Sequence, residues 1–278
     1  MSENIAKVVM TVNLTIGIIT CGRPDRISKC LNSISKYTDL AHSILVVDSK
    51  ITSENLGLYQ GFPNLTSITF DSPISPAAAR AIVAQNISTP YVLFLDDDIQ
   101  IVQGTVSKMV EYLDKNLEVD IVGGAWLERG KYRELGQFFN FGTIGDRPII
   151  YKSFLSLNEA INLNLSSVRV DGVQATFLAR KKIFDRVQFD PRYGFYFELF
   201  DFFLQCKQQN IYLKALPDVI FEHNPTTYRI PTLRQTSDSK SDRQKFIDKW
   251  GIYPIGSLGG RLVKLSEPKK FRLFHFFK

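Results

Sequence analysis

An open, mostly parallel α/β sheet with helices on both faces is the fold class that the sequence predicts, and three observations predict it. Short apolar runs rich in β-branched residues recur through the first half of the chain. Segments with helical spacing of apolar residues alternate with them. The connections between the two are short. Such a rhythm builds units of strand, helix and parallel strand, covered on both faces. A length of 278 residues suits one large α/β domain or two small ones.

The elements follow in order. Leu14 to Thr20 reads as the first strand. Cys21 to Asp25 breaks it, and Pro24 suits the first turn of a helix. In that helix Ile27, Cys30, Leu31 and Ile34 fall at i, i+3, i+4 and i+7, a core-facing stripe. Ser43 to Asp48 is the second strand and Thr66 to Phe70 a short third. Ser75 then suits an N-cap, with Pro76 at the first helical position. Tyr91 to Leu95 is the fourth strand, and Val106, Met109, Val110 and Leu113 mark the helix after it. Val119 to Ala125 is a candidate strand, and Trp126 to Leu165, rich in aromatic and basic residues, reads as hairpins or a long loop. Val168 to Gly172 and Ala175 to Ala179 read as strands, Glu198 to Gln209 as a helix, and Pro217 to His223 as a late strand. A domain over residues 1–235 is expected, followed at 236–278 by a peripheral helix and a basic, aromatic tail.

The fourth strand runs straight into Asp96, Asp97 and Asp98. Three adjacent carboxylates repel one another in a low-dielectric site unless something positive sits beside them. A divalent cation is the usual remedy, and carboxylate oxygens suit Mg²⁺ or Mn²⁺ shared with substrate phosphates. A solvated acidic turn is the plain structural alternative.

Charge is unevenly distributed. From Thr236 to Lys278 there are ten Lys and Arg against four Asp and Glu, which accounts for the whole net charge of +6. The remainder is neutral and carries no nucleic-acid-binding motif, so no nucleic-acid partner is expected. No apolar run is long enough to span a bilayer. Met1 to Lys7 lacks the pattern of a secretory signal. Cys21, Cys30 and Cys206 fit neither a disulfide framework nor a metal cluster, and a cytoplasmic setting is expected. In the tail, Arg261 to Lys264 mixes cations with aliphatic residues and Lys269 to Lys278 mixes them with large rings. That composition suits either an anionic membrane surface or packing on the domain or a partner subunit.

Several short motifs now stand in one order. Thr20-Cys-Gly-Arg-Pro follows the first strand, Val46-Val-Asp48-Ser the second, and Ala79-Arg80 opens a helix before Leu95-Asp96-Asp97-Asp98. Val170-Asp171-Gly172, Phe189-Asp190-Pro-Arg and Tyr196-Phe-Glu198-Leu-Phe-Asp201 come later. In this order the chain resembles the family 2 glycosyltransferases, inverting enzymes of the GT-A fold that use nucleotide-activated sugars. The resemblance covers about Leu14 to Asn224.

The resemblance implies roles for these positions. The backbone near Thr20 and the carboxylate of Asp48 would contact the nucleoside. Arg80 would lie near the nucleotide, offsetting phosphate charge or holding Asp96. Asp98 would carry Mn²⁺ or Mg²⁺ at the diphosphate, Asp96 would assist through ribose or metal, and Asp97 would cap the turn. His223 would complete the metal site, its structural alternative being an ordinary polar residue at a strand end. Inverting transfer needs a carboxylate to take the acceptor's proton. The family draws it from a Glu-Asp pair at a helix start, but here the second position is Leu199. Glu198 is the first candidate for the base and Asp201 the reserve. Trp126 and the aromatics after it are candidates to stack on an acceptor sugar.

The expected function is therefore metal-dependent transfer from a nucleoside-diphosphate sugar, a UDP-sugar foremost, to a saccharide or lipid-linked acceptor. Bacterial surface-polysaccharide synthesis is the expected setting. A non-catalytic member that binds a nucleotide or a partner is the alternative, favoured by Leu199. A sugar nucleotidyltransferase fits less well, because Cys21-Gly22-Arg23-Pro24 is a poor version of its glycine-rich phosphate loop.

Overall fold

Residues 13–225 and 239–255 are described by the computed structural model. All of β1 (Leu14–Thr20) and nearly all of β4 (Tyr91–Asp96) is buried. Strands shielded on both faces need apolar side chains at successive positions, hence the continuous runs. Their period of two divides the core. Leu14, Ile16, Ile18, Ile44, Val46, Leu93 and Leu95 face one half, packed by α1 (Pro24–Tyr37) and α4 (Thr105–Lys115). Ile19, Leu45, Val47, Val92 and Phe94 face the other, covered by α3 (Pro76–Gln85) and α6 (Glu198–Gln208). Helices therefore lie on both faces of the sheet, as the sequence predicts. Under α6, Phe189 and Phe202 stack with centroids 4.2 Å apart, and Phe94 meets Phe189 edge-on at 5.3 Å.

Among the described residues the central sheet has ten strands. Their order is β10 (Val168–Val170), β12 (Leu213–His223), β6 (Ile121–Glu128), β11 (Phe177–Arg180), β4, β1, β2 (His42–Asp48) and β3 (Leu65–Thr69). Two short strands lie off this path: β5 (Ile99–Ile101) pairs with β12, and β7 (Lys131–Tyr132) with β6. The strands β4, β1, β2 and β3 are parallel, and β12 is parallel to β6. Between β4 and β6 lies β11, antiparallel to both, so those two run the same way. Thr20, Asp48, Asp96, Glu128 and His223 thus end β1, β2, β4, β6 and β12 along one edge of the sheet. Open α/β sheets bind ligands at that edge.

The structure departs from the sequence reading in three places. Helix α2 (Ser53–Gln60), capped by Thr52, lies between β2 and β3, where no helix was predicted. It buries Asn55 and Tyr59 while Leu56 is exposed, so it has no apolar stripe to betray it. The stretch read as hairpins or a loop is one long hairpin, β8 (Glu134–Ile144) with β9 (Arg147–Ser156), ending in α5 (Leu157–Asn162). A capping box between Ser156 and Glu159 starts α5. Third, α7 (Ser239–Trp250) is more than a peripheral helix, because Asp242 and Phe246 are buried. Beyond it, β13 (Tyr253–Ile255) pairs with β9. The basic segments Arg261 to Lys264 and Lys269 to Lys278 lie outside the described residues. No helix among the described residues is long and apolar enough to cross a membrane.

Gly124 of β6 faces an irregularity in β12, where the register shifts between Ala215 and Ile220. A Cβ at Gly124 would sit 2.3 Å from the carbonyl oxygen of Val219, a backbone atom that cannot swing away. Gly124→Ala is expected to destabilise the fold by about 1–3 kcal/mol, as overpacking does. Gly57, in the middle of α2, has nothing within 4 Å of the same position. Gly57→Ala is expected to stabilise by up to about 1 kcal/mol. Paired thermal melts check both signs.

Candidate active site

At the end of β4 the three aspartates point in different directions. Asp97 turns inward and is fully buried. The Thr20 hydroxyl donates to it at 2.5 Å, and the Arg23 guanidinium grips it with Nε at 2.8 Å and a second bond through Nη2. Burial pushes the Asp97 carboxyl up to about 7 against the pull of Arg23. Rather than simply capping the turn, Asp97 ties it to the loop after β1. Asp96 and Asp98 stay partly open at the strand edge. Asp96 is held by Arg80 Nη2 at 2.5 Å. Asp98 has Arg23 Nη1 at 4.0 Å and His223 Nε2 at 3.7 Å.

His223 reaches Asp98 because β12 pairs with β5 on one side and β6 on the other, and because the Asn224 N–H donates to the Asp98 carbonyl at 2.9 Å. Its Nδ1 lies 2.8 Å from Glu128 Oε2. A carboxylate only accepts, so Nδ1 carries the proton, and in the neutral ring Nε2 presents a lone pair towards Asp98. Arg133 grips Glu128 in turn through two parallel bonds of 2.9 and 2.8 Å. The Trp126 ring lies 4.3 Å from the His223 ring, so it backs the histidine.

The donor set fits a divalent cation. Asp98 and His223 face each other with acceptor atoms 3.7 Å apart. Two ligands about 2.1 Å from one ion span at most about 4.2 Å. Asp96, Asp97, Asp98 and Glu198 are met by the two guanidiniums Arg23 and Arg80, leaving a formal excess of two negative charges. Among the described residues no three ligand side chains gather into a metal cluster. Two protein ligands with phosphate oxygens and water are the usual arrangement for a nucleotide-bound Mg²⁺.

Arg80, buried in α3, joins this edge to α6. Its Nη1 donates to Glu198 Oε1 at 2.6 Å while Nη2 holds Asp96. Glu198 is buried, and its other oxygen, Oε2, has no hydrogen-bond partner among the described residues. Burial pushes this carboxyl up to about 7; Arg80 opposes the shift, and Asp96 and Asp242 add to it. One guanidinium divided between two carboxylates cannot fully offset both. Oε2 is left as an acceptor without a donor, the property a proton-abstracting group needs.

Asp48 and Asp201 stand differently. Asp48 is fully buried and accepts from the N–H groups of Gly22 and Lys50, from Asn55 Nδ2 at 2.6 Å and from Tyr59 OH at 2.8 Å. It organises the loops after β1 and β2, and a nucleoside donor would have to replace one of these partners. Asp201 accepts from Gln205, Lys249 Nζ at 2.8 Å, Trp250 Nε1 at 2.8 Å and, more distantly, Tyr193 OH. It fastens α7 to α6 and has no free oxygen comparable to Glu198 Oε2. Leu199 packs against the core. Arg23, Glu128, Arg133 and Asp242 had no assigned role in the sequence reading. Only Arg23 lies within a recognised motif; Arg133 meets Glu128 across a tight turn, and Glu128 and Asp242 meet His223 and the 194–196 backbone through tertiary pairing.

Comparison with known proteins of similar sequence and shape shows the family and the fold. The sequence profile of glycosyl transferase family 2 matches residues 15–187. Beta-1,4 N-acetylgalactosaminyltransferase 2 of Mus musculus is 30% identical over 182 residues, 64% of this chain and 33% of that protein. The crystal structure of GalNAc-T7 with UDP, GalNAc and Mn²⁺ superposes with a TM-score of 0.65 at 13% identity, over 86% of this chain and 48% of that one. S. aureus TarS 1-349 gives 0.54 at 16% identity, over 76% and 60%. At such identities the structural likeness shows the fold, an open sheet of GT-A type. The alignment spans a third of the mouse protein and about half of the GalNAc-T7 chain. With its profile match running from β1 past β11, over more than half of its length, the chain belongs to glycosyl transferase family 2.

Proposed function

We propose that this glycosyltransferase moves a sugar, with inversion, from a uridine diphosphate donor to a hydroxyl of a saccharide or lipid-linked acceptor, and that it requires Mn²⁺ or Mg²⁺. The observation that carries the reading is the Glu198 carboxylate. One oxygen is pinned by Arg80, which also holds Asp96, and the other is buried and has no partner among the described residues. In the transfer, the acceptor oxygen attacks the anomeric carbon while the bond from that carbon to the diphosphate breaks. The acceptor's proton passes to Glu198 Oε2. A single displacement of this kind inverts the anomeric centre.

Asp98 and His223, with Asp96 beside them, would hold the cation, which when bound stabilises the charge of the departing diphosphate. Thr20 and Asp48 shape the loops that would receive the nucleoside. The UDP and Mn²⁺ in the GalNAc-T7 crystals support the choice of donor and ion. Assembly of a bacterial surface polysaccharide is the setting inferred from the resemblance. A non-catalytic nucleotide- or partner-binding role is the second reading. Leu199, half-buried against the core where the family carries an aspartate, favours it.

Four outcomes are expected. UDP with Mn²⁺, at about 100 times its dissociation constant, should stabilise the fold by about 2.7 kcal/mol. In Asp98→Ala the metal-dependent part of that thermal shift should vanish, and a shift of undiminished size would remove Asp98 from the site. Glu198→Gln should lower kcat by about 10²–10⁴-fold with the UDP shift intact, whereas full turnover would assign the base elsewhere. A base must be deprotonated to act, and the Glu198 carboxyl stands at about 7. The initial-rate profile of kcat/KM should therefore fall below that pH, by about tenfold per unit, and level off above it.

A further inference from the structure

Helix α6 begins without a side-chain cap, and the residue before it, Phe197, has φ 66°. A bulky residue rarely adopts that backbone conformation, and it persists where the surroundings over-determine it. Two contacts from α7 do so here. The buried carboxylate of Asp242 accepts from three successive backbone N–H groups, those of Gly194, Phe195 and Tyr196, at 3.0–3.1 Å. Lys245 Nζ closes the cluster 2.9 Å from Asp242 Oδ1. On the apolar side, the Phe246 ring packs on Phe197 at 5.4 Å and on Phe200 at 4.9 Å. Converging N–H groups around one carboxylate make a rigid anion nest, here with the anion supplied by the protein itself. The turn it fixes leads directly into Glu198.

We propose that Asp242 is a positioning residue for the transfer: it fixes the Gly194–Phe197 turn and thereby the place of the Glu198 carboxylate opposite Arg80. The proposal rests on Glu198 as the base. Glu198 is faced by Arg80 from α3, Asp96 from β4 and Asp242 from α7. The Asp242 charge raises the Glu198 pKa, so removing it lowers that pKa.

The test is Asp242→Asn beside Asp242→Glu, in the full chain, read by steady-state kinetics against pH and by hydrogen exchange of the 194–196 amides. Asp242→Asn should lose about 10- to 100-fold in kcat, as misplacement of a reacting group does, with donor KM little changed. Its acid limb should move to lower pH. Asp242→Glu keeps the charge but displaces the turn, so kcat should fall several-fold with the limb in place. Both should show faster exchange at 194–196. If Asp242→Asn fails to fold, the Glu variant carries the test through its kcat and exchange. Wild-type kcat and an unmoved limb, with Glu198→Gln inactive, would overturn the positioning role alone. A fully active Glu198→Gln would overturn the base assignment, and the positioning role with it.

Discussion

Arg80 places one positive charge between two carboxylates that come from opposite ends of the chain's logic. Asp96 ends the strand that leads to the proposed donor edge, and Glu198, the proposed base, starts the helix opposite. With Arg80 and Glu198 both buried, removing Arg80 would leave the Glu198 charge uncompensated away from water, typically worth about 3–5 kcal/mol. The pairing is therefore as much a constraint on the fold as a feature of the site. It also explains why Glu198 sits high on the pH scale beside a guanidinium: the cation is divided, and burial outweighs the half that Glu198 receives. On the other side of the turn, Arg23 does the same work for Asp97. Two guanidiniums hold four carboxylates in place, and the residual negative charge lies at the open edge, where Asp98 and His223 face each other.

How much of this is legible in the sequence depends on the range of the interaction. Strand β1, the stripe of α1 and the capped start of α3 are local patterns, and they appear where composition and periodicity place them. The acidic turn is local as well. Asp97 illustrates the limit, since three adjacent aspartates look alike on paper and only the position of Thr20 and Arg23 makes the middle one a buried anchor. Asp201 looks like a reserve base by helix spacing, yet Lys249 and Trp250, 48 and 49 residues away, claim its oxygens. Helix α2 escapes because it buries an asparagine and a tyrosine to serve Asp48, so its sequence lacks an apolar stripe.

The family profile ends at residue 187, before Glu198, His223 and Asp242. The matched residues thus include Asp48, Arg80 and the Asp96–Asp98 turn, while Glu198, His223 and Asp242 come from the remainder. That remainder is tied back to the sheet edge by Arg80 to Glu198, by the pairing of β12 with β5 and β6, and by the Asn224 N–H at the Asp98 carbonyl. Helix α7 closes the arrangement from outside through Asp242, Phe246, Lys249 and Trp250.

The measurement that bears most directly on this arrangement is a comparison of Arg80→Lys with the unaltered protein, reading both transfer kinetics and metal-dependent nucleotide binding. Lysine keeps the charge but cannot present two parallel donors to two carboxylates. If Arg80 couples the donor edge to the base, nucleotide affinity and kcat should fall together, and the acid limb of the pH profile should move. A variant that bound nucleotide and turned over as the unaltered protein does would show that the shared guanidinium is only structural.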